Sequence, residues 1–268
     1  MEKTRVCVIG AAGRMGRRLV ALIVESEDLV LSGAVEAPGN PTIGTDAGAL
    51  AGVSCANVKI SDDLDAALAN SDAVINFSTA GVVEATRKAM QQNCSAVIGT
   101  TALPDADKAA LAEMAKTGRI VFAPNYSVGV NLLFHLTDMV SRLLSDYDCE
   151  IVEMHHNQKK DAPSGTAERL GEIAAAAWEQ LYKDVIRHGR EGVVGARTKT
   201  EIGMHALRGG DVVGDHTVIF ATGGERVELT HKASSRDTFA KGALRAVRFL
   251  RDAAPGRIYD MQDVLGLR

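Results

Sequence analysis

The chain has 268 residues, of which 46% are hydrophobic and 24% are charged, which allows two modest domains with substantial cores. Its net charge of −4 gives the whole molecule no attraction for nucleic acid or anionic membranes. It has no apolar run of about 18 residues to span a membrane and no signal-peptide core at its start, so we expect a cytoplasmic protein that binds neither nucleic acid nor membrane.

The first half of the chain alternates short, continuous apolar runs with helical patterns. Continuous runs are typical of strands buried on both faces, and they predict strands at Val6–Ile9, Leu29–Val35, Ala73–Phe77, Ala96–Ile98 and Ile120–Phe122. Helical spacing predicts helices at Met15–Val24, Val82–Met90 and Asp105–Lys116. Because this alternation favours parallel pairing, we predict an α/β fold with a Rossmann-like, doubly wound parallel sheet over residues 1–126.

The pattern changes after Asn125. Helical patterns at Val130–Leu144 and Ala167–Leu181 flank a strand at Cys149–Met154, and extended alternating runs follow at His216–Ala221 and Arg226–Thr230. They predict an α+β substrate-binding and oligomerisation domain over residues 127–235, with a mixed or antiparallel sheet. The final helical stripe has apolar residues at helical spacing, and we expect residues 236–268 to complete the first domain. The stripe consists of Phe239, Ala243, Val247 and Leu250.

A glycine-rich turn joins the first predicted strand to the first helix. It reads Gly10, Ala11, Ala12, Gly13, Arg14, Met15, Gly16. Glycines permit a tight turn close to a pyrophosphate, whose charge the N–H groups of the helix start attract. Alone the turn is weak support, because any tight turn can use glycine. Glu36, however, follows Gly16 by 20 residues at a strand end, where a carboxylate can bind ribose hydroxyls. Together these features predict a dinucleotide site formed by Gly10 to Met15 and Glu36.

The residues after Glu36 bear on the choice of cofactor. Ala37 and Pro38 follow it, so no adjacent cation offsets the repulsion between the carboxylate and a 2′-phosphate. We therefore predict that NADH is preferred over NADPH, while Arg14 and Arg17 at the helix start could soften that preference.

A second motif leaves a predicted strand at His155 and enters a helix at Ser164, a good N-cap residue. The N–H groups of Gly165 and Thr166 then suit a carboxylate, and Lys159 adds positive charge. Neighbouring strand residues point to opposite faces, so at most one of His155 and the next histidine should lead the catalysis. A lone histidine here would usually be a surface residue. Two histidines, two lysines and a helix cap within about a dozen residues instead favour a catalytic site.

We predict no metal site, because the lysine-rich loop repels cations and offers no third Cys or His ligand. The four cysteines form no C-x-x-C pair and should be reduced thiols: Cys7, Cys55, Cys94 and Cys149.

Segments spread along the whole chain resemble the 4-hydroxy-tetrahydrodipicolinate reductase family, formerly called dihydrodipicolinate reductases. They include GAAGRMGRRL, VINFSTA, VIGTT, APNYSVGVNLL and EIVEMHHNQKKDAPSGTA, of which HHNQKKDAPSGTA is highly specific. The resemblance implies a Rossmann-like domain, completed by the last helix, and a homotetramer built through the sheet of the substrate domain. It also implies an NAD(P)H-dependent oxidoreductase of lysine and diaminopimelate biosynthesis. Its reaction would convert (2S,4S)-4-hydroxy-2,3,4,5-tetrahydrodipicolinate, a small dicarboxylate, to tetrahydrodipicolinate with loss of water.

The same resemblance implies roles for individual residues. The catalytic residues are His155 and Lys159, and either could deliver the proton. Substrate contacts fall on His156, Ser164, Gly165, Thr166 and Thr101. Nicotinamide contacts fall on Gly99, Thr100, Thr101, Ala123, Pro124, Asn125 and Tyr126. Two positions depart from the family pattern: Ala37 replaces a common arginine, which puts NADPH use in doubt, and Ala102 replaces a common glycine.

Two other functions remain open from the residues themselves. Another Rossmann-type dehydrogenase of a small substrate, such as an amino acid, would share the glycine-rich turn but would not need the loop from His155 to Thr166. A non-catalytic NAD(H)-binding sensor would bind the cofactor without turnover. A substrate panel distinguishes the first from a reductase, and a turnover assay distinguishes the second.

Overall fold

A computed structural model describes residues 2–101 and 103–268 of the chain, so the departure at Ala102 lies outside the described residues. The chain divides into two compact units, Met1–Val128 with Asp237–Arg268, and Gly129–Arg236. No helix among the described residues is long and apolar enough to cross a membrane. All four cysteines are free thiols, three of them buried.

The first unit contains a six-stranded parallel sheet. Its strands are β1 (Thr4–Ile9), β2 (Leu29–Val35), β3 (Ala73–Asn76), β4 (Ser95–Ile98), β5 (Ile120–Phe122) and β11 (Ile258–Tyr259). Their order in the sheet is β11-β5-β4-β3-β1-β2. The five longer strands lie where the apolar runs predicted them. Strands β3 and β4 are buried at every residue, so they are covered on both faces as crossover helices require.

Helices cover both faces of this sheet, so the predicted doubly wound fold is confirmed. They are α1 (Arg14–Val24), α2 (Ala47–Leu50), α3 (Leu64–Leu68), α4 (Val82–Gln91), α5 (Asp105–Ala115), α9 (Asp237–Leu250) and α10 (Met261–Leu265). One apolar core forms beneath α1 and α9, and a second forms beneath α4 and α5. The sequence patterns predicted the three longer helices between strands but not α2 and α3, which are too short to show a periodicity.

Helix α9 packs against α1, and two pairs of charged residues tie it to the start of the chain. Arg18 and Asp237 form a salt bridge at 2.7 Å, and Arg248 and Asp28 form another at 2.8 Å. The apolar stripe is buried between them, because Ala243, Val247 and Leu250 are each at most 1% exposed. The end of the chain is thus part of the first unit.

The second unit is an α+β structure. Its elements are α6 (Val128–Leu143), β6 (Asp148–His155), α7 (Gly165–Ala177), α8 (Tyr182–Val185), β7 (Ile186–His188), β8 (Ile202–Arg208), β9 (Gly214–Thr222) and β10 (Glu225–Ala233). The strand order is β10-β9-β6-β8-β7, with β6, β8 and β7 parallel and the pairs β6–β9 and β9–β10 antiparallel. The sheet is therefore mixed, as predicted.

Helix α7 ends four residues earlier than the predicted Leu181. Glu179 adopts a left-handed conformation, with φ of 57°, that a helix cannot continue through. The indole N–H of Trp178 donates to the carbonyl of Ser141 at 2.9 Å and fixes this end on α6. Leu181 is left 63% exposed.

The two faces of the mixed sheet differ. On one face Cys149, Ile151, Val218 and Phe220 are fully buried in the core with α6 and α7. On the other face Glu150 forms ion pairs with Arg190 at 2.7 Å and with Arg197 at 3.1 Å. Half-buried or exposed apolar side chains also lie on that second face: Val152, Met154, Leu207 and Ile219.

Candidate active site

The glycine-rich turn has the geometry of an anion cradle. Gly10 adopts φ of +75°, which favours glycine, and a Cβ at Gly16 would collide with the carbonyl oxygen of Gly10. Helix α1 begins after Gly13, and no side-chain hydrogen bond among the described residues caps it. The first N–H groups of α1 can therefore bind a pyrophosphate, so the turn fits a dinucleotide.

Glu36 is held against this turn. One carboxylate oxygen accepts a hydrogen bond from the Ala12 N–H at 2.8 Å. The other accepts longer bonds at 3.3 Å from the Ala37 N–H and from the Asn40 side chain. The Nε of Arg17 donates to the Ala12 carbonyl at 2.7 Å, so the same residue contacts both side chains. The sequence therefore placed the acid correctly next to the turn, with an exposed arginine nearby.

The other predicted cofactor residues follow the carboxyl ends of β4 and β5. A Cβ at Gly99 would collide with the ring of Phe77, which explains the glycine there. Thr100 is buried, and its hydroxyl donates to the Ser78 carbonyl at 2.6 Å, whereas Thr101 is exposed. These residues lie at the edge of a parallel sheet where ligands usually bind.

The segment from Ala123 to Tyr126 is partly internal. Ala123 and Tyr126 are buried, Asn125 is half-buried and Pro124 is exposed. The Tyr126 hydroxyl donates within the core, 2.9 Å from the Ile98 carbonyl. Burial raises the pKa of this phenol, so it remains protonated. The tyrosine side chain supports the loop from inside the first unit.

Sequence reasoning did not select the residues after β3. The Asn76 side-chain oxygen accepts from the N–H of Ser78 at 2.9 Å and from its hydroxyl at 2.7 Å, while its buried Nδ2 has no partner in the described structure. This loop lies beside the glycine-rich turn, because a Cβ at Gly10 would be 3.9 Å from Ser78. Its position at a strand end was the signal that could have identified it.

In the second unit, Glu153 is the centre of a hydrogen-bond network. It is fully buried and accepts from Nδ1 of His155 at 2.7 Å, from two nitrogens of Arg208 at 2.9 Å each, and from the N–H of Ser164 at 3.1 Å. Burial by itself would raise the pKa of this carboxyl, but the bonds from Arg208 and His155 outweigh burial and lower it. Glu153 is therefore ionised.

His216 lies against the same group. Its Nε2 is 3.0 Å from the Ser164 hydroxyl, and its ring meets the His155 ring edge-on with centroids 5.2 Å apart. Burial lowers the pKa of His216 to about 3, and the neighbouring His155 and Lys159 lower it further. His216 is thus neutral at physiological pH. Neither Glu153 nor His216 was predicted as a site residue.

The loop after β6 carries the other predicted residues. Nζ of Lys159 lies 2.7 Å from a carboxylate oxygen of Asp161, and this bond lowers the pKa of Asp161. The Nδ1 of His156 accepts the Gln158 N–H at 3.2 Å. The two histidines therefore have different hydrogen-bond partners.

Helix α7 begins where the sequence predicted. Ser164 is its N-cap, accepting the Ala167 N–H at 3.2 Å, but its side chain is 3% exposed and already contacts His216. Gly165 is exposed, Thr166 is half-buried, and a Cβ at Gly165 would meet nothing within 4 Å. The open helix start suits a carboxylate, while Ser164 supports it from inside. No group of three metal-binding side chains occurs in residues 2–101 and 103–268.

Comparisons with known proteins cover the whole chain. Residues 4–126 match the family described as dihydrodipicolinate reductase, N-terminus, and residues 129–265 match dihydrodipicolinate reductase, C-terminus. The chain is 49% identical over 266 residues to the 4-hydroxy-tetrahydrodipicolinate reductase of Geotalea daltonii, which covers 98% of this chain and 99% of the relative. It is 50% identical to the enzyme of that name from Laribacter hongkongensis, with both chains covered completely.

Solved structures share the fold. The dipicolinate-bound dihydrodipicolinate reductase of Paenisporosarcina sp. TG-14 is 24% identical and has a TM-score of 0.78, covering 97% of this chain and 98% of its own. An amine dehydrogenase from Mycobacterium smegmatis is 13% identical with a TM-score of 0.60, over 95% and 94% of the two chains.

Proposed function

This chain belongs to the dihydrodipicolinate reductase family, and on that premise we propose that it reduces 4-hydroxy-tetrahydrodipicolinate with NAD(P)H in lysine and diaminopimelate biosynthesis. The observation that carries the proposal is the arrangement in the second unit. A buried carboxylate holds both His155 and the start of α7, and Lys159 lies on the loop that joins β6 to α7. A proton donor, a cation and a carboxylate-binding helix start are what a dicarboxylate reductase needs.

Each residue then has a defined task. The N–H groups of Gly165 and Thr166 and the ammonium of Lys159 bind one substrate carboxylate and favour electron flow into the ring. Lys159 can exchange its exposed partner Asp161 for this carboxylate. His155 or Lys159 delivers the proton, and His156 and Thr101 complete the substrate contacts. When bound, the nicotinamide supplies the hydride.

The first unit holds the cofactor in this proposal. The N–H groups at the start of α1 bind the pyrophosphate, Glu36 accepts from the adenosine ribose, and the loops Gly99–Thr101 and Ala123–Tyr126 flank the nicotinamide. NADH is the preferred cofactor, because the Glu36 carboxylate would repel a 2′-phosphate. Arg17 supports a residual use of NADPH, since its Nε reaches the Ala12 carbonyl beside Glu36.

A homotetramer assembled through the mixed sheet accounts for the apolar side chains on its second face. Val152, Met154 and Ile219 lie there half-buried, and Leu207 is 49% exposed. A cytoplasmic location agrees with the three buried free thiols, because reducing compartments keep cysteines unpaired.

A coupled assay tests the proposed function. The preceding synthase would generate substrate from pyruvate and aspartate semialdehyde, and oxidation of NADH and of NADPH would be followed separately. Oxidation that depends on the synthase is the expected result. A folded protein that binds NADH but oxidises neither cofactor under these conditions would contradict the proposal.

A further inference from the structure

The side chain of Glu153 connects two parts of the site whose function is proposed above. It lies on β6 directly opposite His216 of β9, while His155 lies opposite Arg208 of β8. These pairings bring three strands to one buried carboxylate. The inference that follows rests on the proposed function, because it concerns how His155 acts in that reaction.

The network determines which nitrogen of His155 carries hydrogen. An ionised carboxylate can only accept, so Nδ1 of His155 must donate to it. Nε2 has no hydrogen-bond partner within the described residues, and the His155 side chain is 12% exposed. A Cβ at Gly214 would lie 3.0 Å from Nε2, so glycine there leaves this edge of the ring uncrowded.

The same carboxylate fixes the start of α7. Its second oxygen accepts the Ser164 N–H at 3.1 Å, one residue before the helix begins. His216 holds the Ser164 hydroxyl from the other side and packs edge-on against His155. Because His216 is neutral, it supports the His155 ring with little repulsion when that ring becomes positively charged.

We propose that Glu153 is a positioning residue that makes His155 the proton donor and aligns it with the carboxylate-binding helix start. In the step, the N–H bond at Nε2 breaks and a C–H bond forms at the substrate carbon next to the one that receives hydride. His155 is left as the neutral tautomer with hydrogen on Nδ1, which Glu153 stabilises. Arg208 keeps Glu153 ionised throughout, and its two N–H donors fix the orientation of the carboxylate.

The variant Glu153→Gln changes this tautomer while retaining the shape. An amide that keeps its oxygen toward the Ser164 N–H must turn its NH2 toward His155, whose Nδ1 then accepts instead of donating. This orientation sets the NH2 against one nitrogen of Arg208, whereas the reverse orientation would set it against both the Ser164 N–H and the other Arg208 nitrogen. After Nε2 gives up its proton, the neutral ring would have its hydrogen on Nδ1, and this N–H would face the NH2 group of Gln. Two donors would then oppose each other, so donation becomes less favourable.

Steady-state kinetics of the full-length variant test the proposal. We expect Glu153→Gln to lower kcat about a hundredfold, with the KM for substrate within about threefold because the Ser164 bond is kept. The matched control is Glu150→Gln on the same strand, whose carboxylate also contacts arginines and a histidine but lies on the other face. A kcat within about threefold of the unaltered protein, or an equal loss in Glu150→Gln, would overturn the proposal.

Nitrogen NMR of the unaltered protein gives a readout that needs no activity. Ring ¹⁵N signals, assigned to His155 by comparison with His155→Gln, should show hydrogen on Nδ1 whenever the ring is neutral. Neutral His155 with hydrogen on Nε2 would reject the role of Glu153. If the unaltered protein fails the coupled assay but has the Nδ1–H form, the proposed reaction is wrong and the positioning by Glu153 stands.

Discussion

The residues of the site differ in how strongly burial and hydrogen bonds fix their side chains. Glu153, Ser164 and His216 are each at most 3% exposed, and Ser164 hydrogen-bonds to both of the others. Within the part of the chain that the structure describes, Lys159 has a single ion pair, to an Asp161 side chain that is 67% exposed. The buried residues therefore set the geometry, whereas Lys159 is able to change partner when a carboxylate arrives.

Lys159→Ala tests this difference. We expect turnover to fall about a hundredfold, because the ammonium stabilises charge on the reacting ring and contributes to proton delivery. Lys160 is the next residue and is exposed, so Lys160→Ala is the control and should retain activity. Equal rates for Lys159→Ala and the unaltered enzyme in the synthase-coupled assay would refute the assignment.

We also expect single residues to decide the choice between NADH and NADPH. Ala37→Arg places a cation next to Glu36, so we expect the ratio of kcat/KM for NADPH to that for NADH to rise about tenfold. Arg17→Ala should shift the ratio the other way, since it removes the guanidinium beside the Ala12 carbonyl. If both variants keep the ratio of the unaltered enzyme, charges near Glu36 do not determine the choice between NADH and NADPH.

The contrast between Lys159 and Glu153 shows what sequence could reveal of the site. His155, Lys159 and the Ser164 cap occur within one short segment, so their spacing was readable. Arg208 and His216 belong to other strands, and only the register of β6 with β8 and β9 brings them to Glu153. Partners that depend on strand pairing leave no mark in the spacing of a single segment.

At the scale of elements, α9 is fixed by ion pairs as well as by its apolar stripe. Asp28 accepts hydrogen bonds from both Arg248 and Arg251, and these interactions hold its pKa well below the ordinary 3.8. A carboxyl with a lowered pKa stabilises the fold above its ordinary pKa. That contribution is lost as pH falls below about 4 toward the lower, folded-state value.

Asp28→Asn should therefore lower Tm at neutral pH by a few degrees, and the difference from the unaltered protein should shrink as pH falls below about 4. Thermal unfolding followed by circular dichroism at several pH values measures both effects. Asp138→Asn, which breaks an exposed pair within α6, is the comparison and should change Tm less. A difference that grows in acid would contradict the assigned sign.

Helices and strands were predicted best where burial requires a long hydrophobic pattern in the sequence. The buried strands of the parallel sheet appear as continuous apolar runs, and α1 and α9 as clear stripes. Strands β7 and β11, of three and two residues, are too short for any period to register. The end of α7 was missed because a glutamate, not a glycine, takes the left-handed position at residue 179.

At the scale of the whole molecule, the proposed tetramer can be tested on the sheet face. Ile219→Lys places a charge among the half-buried apolar residues and should shift the protein toward smaller species in light scattering coupled to size exclusion. The control is Leu181→Lys, which adds the same charge at a 63% exposed leucine elsewhere. An unchanged mass for Ile219→Lys would exclude this face as the interface.

The division of the chain also has a consequence for its synthesis. The first unit needs Asp237–Arg268, which supply α9, the edge strand β11 and part of its apolar core. A ribosome synthesises this segment only after the whole second unit. Until then the core beneath α1 lacks the side chains of α9, and exposed apolar surface of this kind favours aggregation during folding.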